Sequence, residues 1–165
     1  MKTSRTITTE KLSEEPYASI LCYPRPSKTE VKKRLRELQR LRITALEFTG
    51  EKEAFNTPVL GKGCVGIVTI AHRNREKVAL KIRRVDADRA RMQREAEMLR
   101  KANSVRVGPK LLGVSKNFLL MRFIDGFLLP EWLEKRRRKA PIRKVLGEIL
   151  EQCWRLDMAG LDHGE

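Results

Sequence analysis

The sequence predicts an α+β fold, in which several short antiparallel strands come before a group of helices. Residues 43–83 contain β-branched and alternating apolar runs separated by turn residues, as expected for adjacent strands. Residues 88–102 favour a helix, and two further short apolar runs follow at 111–114 and 117–123. A long helical stripe then runs from 142 to 156. Strands that precede segregated helices indicate an α+β domain rather than an alternating α/β one.

The N-terminal region is predicted to contain one amphipathic helix. Residues 1–28 are expected to form a loosely structured lead-in, because three prolines interrupt any helix there. Ser27 or Thr29 is a candidate cap for the helix that follows. From residue 30 onward, apolar side chains recur at three- and four-residue steps, which is the pattern of one buried helix face. These side chains are Val31, Leu35, Leu38, Leu41 and Ala45.

A meander of strands is predicted next. Residues 43–48 favour a strand, Thr49-Gly50 marks a turn, and residues 54–60 are expected to form a second strand that enters a glycine-rich turn. Residues 67–71 are β-branched, and Asn74 favours a turn before the alternating run 77–83. In that run one face carries Val78, Leu80 and Ile82, and the other carries Ala79, Lys81 and Arg83. The chain is accordingly divided into an N-terminal extension (1–53), a strand-rich region (54–124) and a helical region (125–165).

The net charge is strongly positive, at +15 from 36 basic and 21 acidic side chains, which raises the question of polyanionic partners. The basic residues concentrate in three stretches, 25–42, 73–94 and 135–144, and the last contains no acid. Nucleic acid is one interpretation, and a set of solvated helix faces is the other.

Other classes are excluded more directly. No apolar run reaches about 18 residues, so no membrane span is predicted. Cys22, Cys64 and Cys153 are scattered and fit neither a disulfide framework nor a metal-ligand spacing. A reduced, cytoplasmic protein without a metal site is therefore expected.

Residues 61–68, Gly-Lys-Gly-Cys-Val-Gly-Ile-Val, match the pattern G-x-G-x-x-G-x-V. A dinucleotide-binding fingerprint with the same glycine spacing would open a helix. Here a β-branched run follows, so the glycines are expected to form a hairpin loop whose backbone approaches phosphates closely and adopts positive φ. A glycine-rich hairpin without a ligand is the alternative.

Two charged residues downstream fit the same chemistry. Val78-Ala79-Leu80-Lys81 is a strand on which Lys81 shares a face with the small Ala79, leaving room for a ring beside the ammonium group. On the helix at 88–102, Glu95 lies four residues before Leu99 and therefore faces inward with it. Glu97 is about 200° away from Glu95 at roughly 100° per residue, so we expect it to face solvent. Glu95 is the predicted partner of Lys81, and Glu97 is the second choice.

Two further segments complete the pattern. Residues 118–126 form an apolar strand that ends in Asp-Gly, and the sequence closes on Leu-Asp-His-Gly-Glu. In this order, the five segments resemble the ATP-binding lobe, hinge and catalytic-loop entry of protein kinases. The resemblance covers roughly residues 55–165 and is strongest over 60–97. The chain is most similar to archaeal serine/threonine protein kinases related to the RIO kinases and to the kinase subunit of the KEOPS tRNA-modification complex.

The resemblance implies a kinase-like N-lobe with an N-terminal helical extension and the first helices of a C-lobe. It also implies ATP with Mg²⁺ as cofactors, with Lys81 on the phosphates and Glu95 orienting Lys81. The implied nucleotide contacts are Gly61, Gly63, Gly66, Val68, Ala79, Lys81, the gatekeeper Met121, the Arg122 carbonyl and the Ile124 amide. Glu165 takes the position of the catalytic acid.

The sequence also departs from the kinase pattern. Arg122 stands where kinases carry an acid, and Glu165 stands where they carry aspartate. The asparagine and aspartate that hold Mg²⁺ in kinases have no counterpart, so we expect the chain as given to bind ATP without efficient phosphoryl transfer. The alternative is a non-catalytic nucleotide-binding module that contacts RNA or the ribosome through its basic surface. An uncovered apolar stripe at 142–156 also predicts self-association as a homodimer.

Overall fold

The computed structural model describes residues 4–135 and 139–161, with the side chains of 89–91 excepted. The strands are β1 (Arg5–Thr8), β2 (Ile43–Phe48), β3 (Lys52–Ala54), β4 (Thr57–Val59), β5 (Gly61–Lys62), β6 (Gly66–Arg73), β7 (Glu76–Arg83), β8 (Leu111–Val114) and β9 (Phe118–Arg122). The helices are α1 (Tyr17–Leu21), α2 (Lys28–Arg40), α3 (Arg89–Ser104), α4 (Leu129–Glu134) and α5 (Lys139–Met158), with a 3-10 helix at Thr9–Ser13.

The strands form an antiparallel sheet, which confirms the predicted α+β class. Its order is β1-β2-β6-β7-β9-β8, with β5 paired to β6, and β3 and β4 form a separate hairpin. The β6–β7 hairpin turns at Asn74 and Arg75, whose φ values of 49° and 68° are those of a tight two-residue turn. Asn is one of the few side chains that tolerates this conformation, so the predicted turn has a physical basis.

The two faces of β7 differ in burial. Val78, Leu80 and Ile82 are at most 2% exposed and belong to the main core, whereas Ala79 and Lys81 on the opposite face are only half-buried. The N-terminal extension covers the buried face with side chains such as Leu12, Ile20, Leu21 and Leu38. The open face is therefore the one that carries the predicted phosphate-binding lysine.

The predicted loose lead-in is wrong. Between residues 5 and 21 the chain forms β1, the 3-10 helix and α1, and Leu12 and Ile20 are 0% exposed. Pro16 stands directly before α1 rather than inside it, so it does not interrupt the helix. These elements are too short for a periodic pattern, which is why the prolines dominated the prediction.

Two other boundaries differ from expectation. The predicted strand at 54–60 is two strands, because the chain reverses at Phe55 and Asn56 with φ of 48° and 56°. The apolar stripe predicts a helix face that reaches Ala45, but α2 ends at Arg40 and the chain turns at Arg42, with φ of 59°. Ser27 caps α2 as expected, since its hydroxyl accepts a hydrogen bond from the Glu30 amide at 3.2 Å.

A buried polar cluster attaches α2 to the sheet. Arg34 is 0% exposed, and its Nη1 donates to the carbonyls of Leu21 and Arg83, each at 2.6 Å. Asn117 Oδ1 accepts from both Arg34 and Arg83, and the Asn117 amide groups donate to Glu37. Because Arg83 lies two residues beyond Lys81, this cluster fixes the end of β7 that carries the lysine.

Helix α5 presents a partly uncovered apolar side. Leu156 packs against Val107 and Leu161, but Leu150 and Trp154 are 70% and 61% exposed. The predicted homodimer would use this stripe and stays a prediction. Of the helices in the described residues, none is long and apolar enough to cross a membrane.

Candidate nucleotide site

The glycine-rich segment forms a hairpin loop, as its sequence context predicts. Gly61 and Lys62 of β5 pair with Val68 and Ile67 of β6. The Gly63 amide donates to the Gly66 carbonyl at 2.9 Å and closes the turn. No helix follows the glycines, so the segment lacks the geometry of a dinucleotide fingerprint.

The three loop glycines differ in how closely the surrounding structure approaches them. A Cβ at Gly66 would lie 2.5 Å from the Ile82 carbonyl oxygen, so the packing of β6 on β7 excludes any side chain there. A Cβ at Gly61 would make only ordinary contacts with Val68, and one at Gly63 would meet nothing within 4 Å. The expectation of positive φ in this loop is wrong, because the described glycines with positive φ are 50, 108 and 160. Open space at Gly61 and Gly63 leaves the backbone accessible to a ligand.

Lys81 and Glu95 form a close ion pair. The Lys81 Nζ atom lies 2.6 Å from both Glu95 carboxylate oxygens. The side chains are 18% and 35% exposed, respectively, so the pair is accessible from one side. The choice of Glu95 over Glu97 agrees with this geometry, since Glu97 is exposed.

The position of α3 explains why Glu95 meets Lys81. Met92 and Ala96 are 0% exposed and pack against Leu119, which pairs with Lys81 across β7 and β9. Glu95 precedes Ala96, at the edge of this buried stripe, and the stripe therefore aims its carboxylate at the sheet. A charge-assisted contact in this half-buried position fixes the ammonium group more firmly than one on an open surface.

Apolar side chains flank the lysine on the same face. Register places Val68, Lys81 and Leu119 in one cross-strand row, and Ala79 and Met121 in the next. Val68, Ala79 and Met121 are half-buried, like Lys81, although the opposite face is fully buried. The structure thus brings together the predicted Val68, Ala79, Lys81 and Met121 on one accessible surface.

The remaining predicted residues lie at the edge of this surface or outside it. Arg122 ends β9 opposite Val78, and its amide donates to the Lys110 carbonyl at 2.8 Å. Ile124 follows with its side chain 65% exposed. Glu165 lies outside the described residues, as does the histidine before it.

Sequence reasoning missed an aromatic side chain that supports the glycine loop. The Tyr23 ring contacts two cations, with Lys62 Nζ 5.1 Å and the Arg84 guanidinium 5.0 Å from its centroid. The Tyr23 carbonyl also accepts a hydrogen bond from the Val85 amide at 2.8 Å. The available sequence signal is an aromatic residue directly before Pro24, in a segment whose prolines predict a loose structure.

No metal cluster is found in the part of the chain that the structure describes, where no three His, Cys, Asp or Glu side chains gather. Comparison with protein-family models, with curated proteins and with solved structures found no match for this chain.

Proposed function

We propose that this chain binds ATP between the glycine loop at 61–68 and the segment 121–124, in the manner of a serine/threonine protein kinase. The observation that carries the proposal is the Lys81–Glu95 pair, at 2.6 Å on the accessible face of β7 beside a glycine hairpin. A lysine held by a carboxylate in this way is a fixed cation for phosphate oxygens.

The neighbouring residues fit a nucleotide. Ala79 leaves space for a flat ring, and Val68 and Met121 give that ring apolar walls. Gly61 and Gly63 allow backbone amides to approach phosphates, since neither position is filled by the protein's own packing. ATP would supply the phosphoryl group, and these residues would bind and orient it.

Mg²⁺ is expected to arrive with the nucleotide. The described residues offer no cluster of carboxylates to hold it, so we assign it no protein ligand. The assignment of Glu165 as catalytic acid falls outside the described residues, and the proposal rests on ATP binding rather than on turnover.

Calorimetry with Mg·ATP tests the proposal. Lys81→Ala should weaken binding by roughly 1.5–3 kcal/mol, or about 10- to 150-fold, because it removes a charge-assisted phosphate contact. Lys116→Ala is the control, since Lys116 is exposed, carries the same charge and is not among the predicted nucleotide contacts. Equal ATP affinity for the two variants, or no binding to the unmodified chain, would exclude the site.

The charge distribution of α2 favours a second candidate, a non-catalytic module that binds RNA or the ribosome. The two acids of α2 already have partners, because Glu30 accepts a hydrogen bond from Arg34 and Glu37 accepts one from Asn117. The exposed side of the helix carries Lys28, Lys32, Lys33, Arg36 and Arg40. The residues at positions 28, 32, 36 and 40 are each four residues apart, so their side chains lie next to one another on the helix. Like charges at this spacing destabilise a helix by roughly 0.2–0.5 kcal/mol per pair. A polyanion bound along the stripe would offset that repulsion.

Salt dependence of RNA binding tests this candidate. Lys32→Glu with Arg36→Glu should reduce the slope of log affinity against log salt by about 1.4 or more, as expected for two lost phosphate contacts. Arg75→Glu with Lys116→Glu changes the net charge equally at other exposed positions. Equal slopes for the two double variants would eliminate α2 as the contact.

A further inference from the structure

A cavity that Lys81 does not line carries four cationic side chains. It occupies about 740 Å³ between the end of α3, the loop that leads to β8, and the residues after β9. Its basic side chains are Arg100, Arg106, Lys110 and Arg122, and its one carboxylate is Asp125. Neither Lys81 nor a glycine-loop residue is part of its wall, but it shares Arg122 and Ile124 with the proposed nucleotide contacts.

Among the described residues, the four cations have no partner that would give them a role in holding the fold together. No side chain of the four makes a hydrogen bond or ion pair with any residue that the structure describes, and all four are exposed. The helix dipole favours a cation in the last turn of a helix, but α3 carries Lys101 there rather than Arg100, and Arg106, Lys110 and Arg122 lie beyond the helix. The dipole therefore explains none of the four cations. Several like charges around one concavity repel one another and concentrate a positive potential there.

The wall of the cavity is fixed before any ligand binds. Asn103 Nδ2 donates to the carbonyls of Val107 and Pro109, at 3.1 and 3.0 Å, and its Oδ1 accepts from the Leu111 amide at 2.8 Å. One carboxamide therefore holds the loop between α3 and β8 in shape. The Arg122 amide donates to the Lys110 carbonyl, which ties the far wall to the same loop. Preformed walls reduce the entropy lost on binding.

We propose that this cavity binds a compact ligand with two or more phosphate groups. Its volume is that of a small-molecule site, commonly about 300–1,000 Å³, and an extended nucleic-acid backbone would not be enclosed by it. Three of the four cations are arginines, whose planar guanidinium groups bind phosphate oxygens in pairs. A single negative charge would leave most of the four cations unpaired, so a polyphosphate chain fits better. The proposal does not depend on ATP binding at Lys81.

Inorganic tripolyphosphate is the probe, titrated into the full chain at low salt and followed by calorimetry and amide chemical shifts. Arg106→Gln with Lys110→Gln should weaken binding roughly tenfold or more, because two charged contacts are lost. Arg75→Gln with Lys116→Gln is the matched control. It removes the same charge, and Arg75, like Arg106, has a positive φ, of 68° against 61°. The control should change the dissociation constant less than about threefold.

Three further measurements decide where the phosphate groups bind and whether a small ligand or a nucleic acid supplies them. Lys81→Ala should leave tripolyphosphate affinity unchanged, and shifts should centre on residues 103–111, which are not among the proposed nucleotide contacts. Equal weakening by both double variants, or by Lys81→Ala, would overturn the proposal, as would the absence of any binding at low salt. Tighter binding of an RNA oligonucleotide than of tripolyphosphate, lost in Arg106→Gln with Lys110→Gln, would replace the small ligand with a nucleic-acid backbone and also overturn it.

Discussion

Replacing Arg34 with methionine should destabilise the protein by about 3–5 kcal/mol, although it exchanges a charged residue for an apolar one. Arg34 is fully buried, and its guanidinium donates to the Leu21 and Arg83 carbonyls at 2.6 Å and to Asn117 at 3.3 Å. Each buried acceptor left without a donor costs about 1–3 kcal/mol. The ion pair with Glu30 at 3.1 Å adds little, because Glu30 is partly exposed. The sum agrees with the 3–5 kcal/mol typical of breaking a buried charged cluster.

Urea denaturation, followed by circular dichroism, measures this change. Arg36→Met is the matched control, because Arg36 is exposed on the same helix and should change stability by about 0.5 kcal/mol or less. The midpoint should fall for Arg34→Met with an unchanged m-value, since both variants expose similar surface on unfolding. A difference between the two variants below about 1 kcal/mol would refute the argument that the buried carbonyls need the arginine.

Three further predictions test separate parts of the structure. Gly63→Ala should leave thermal stability unchanged and weaken ATP binding. Gly66→Ala should lower the melting temperature, because the added Cβ would lie 2.5 Å from the Ile82 oxygen. Equal melting temperatures for the two variants would contradict this. Burial pushes the pKa of the Glu47 carboxyl upward, but hydrogen bonds from Lys77, Ser4 and His72 outweigh it and hold the pKa below its ordinary value of 4.5. The stability that this carboxylate contributes is present above pH 4.5 and lost as the pH falls through the lowered pKa, so Glu47→Gln should flatten the acid side of the stability–pH curve. Burial raises the pKa of the Cys22 thiol to about 11. Iodoacetamide at pH 8 should therefore modify the exposed Cys64 and Cys153, and should modify Cys22 only when urea unfolds the protein. Mass spectrometry of the labelled peptides measures this difference.

The parts of the fold that the sequence predicted are those encoded by local periodicity. The alternation in β7 assigns Val78, Leu80 and Ile82 to one face and Lys81 to the other, because a strand repeats every two residues. The same kind of reasoning about angles on a helix distinguishes Glu95 from Glu97. Both conclusions depend on neighbours within a few residues, and the structure agrees with them.

What the sequence did not predict depends on distant contacts. Strand β1 is held by its pairing with β2, far along the chain, and Ser4, directly before β1, donates to Glu47 at 2.9 Å. The turn at Phe55 and Asn56 was missed because phenylalanine rarely adopts a positive φ. Arg34 could have been found, since it lies three residues after Val31 and four before Leu38, on the apolar stripe of α2. A charged residue on such a stripe predicts a buried partner.

The most direct test of the central claim is to identify the lysine that lies beside the phosphates of bound ATP. An acyl phosphate of ATP transfers its acyl group to a nearby lysine amine and releases ATP, and peptide mass spectrometry then locates the acylated residue. The account predicts modification at Lys81, prevented by an excess of unmodified ATP and enhanced in Glu95→Gln, where the amine has lost its carboxylate partner. Modification at Lys110 with Lys81 unmodified, or labelling that excess ATP does not prevent, would contradict it.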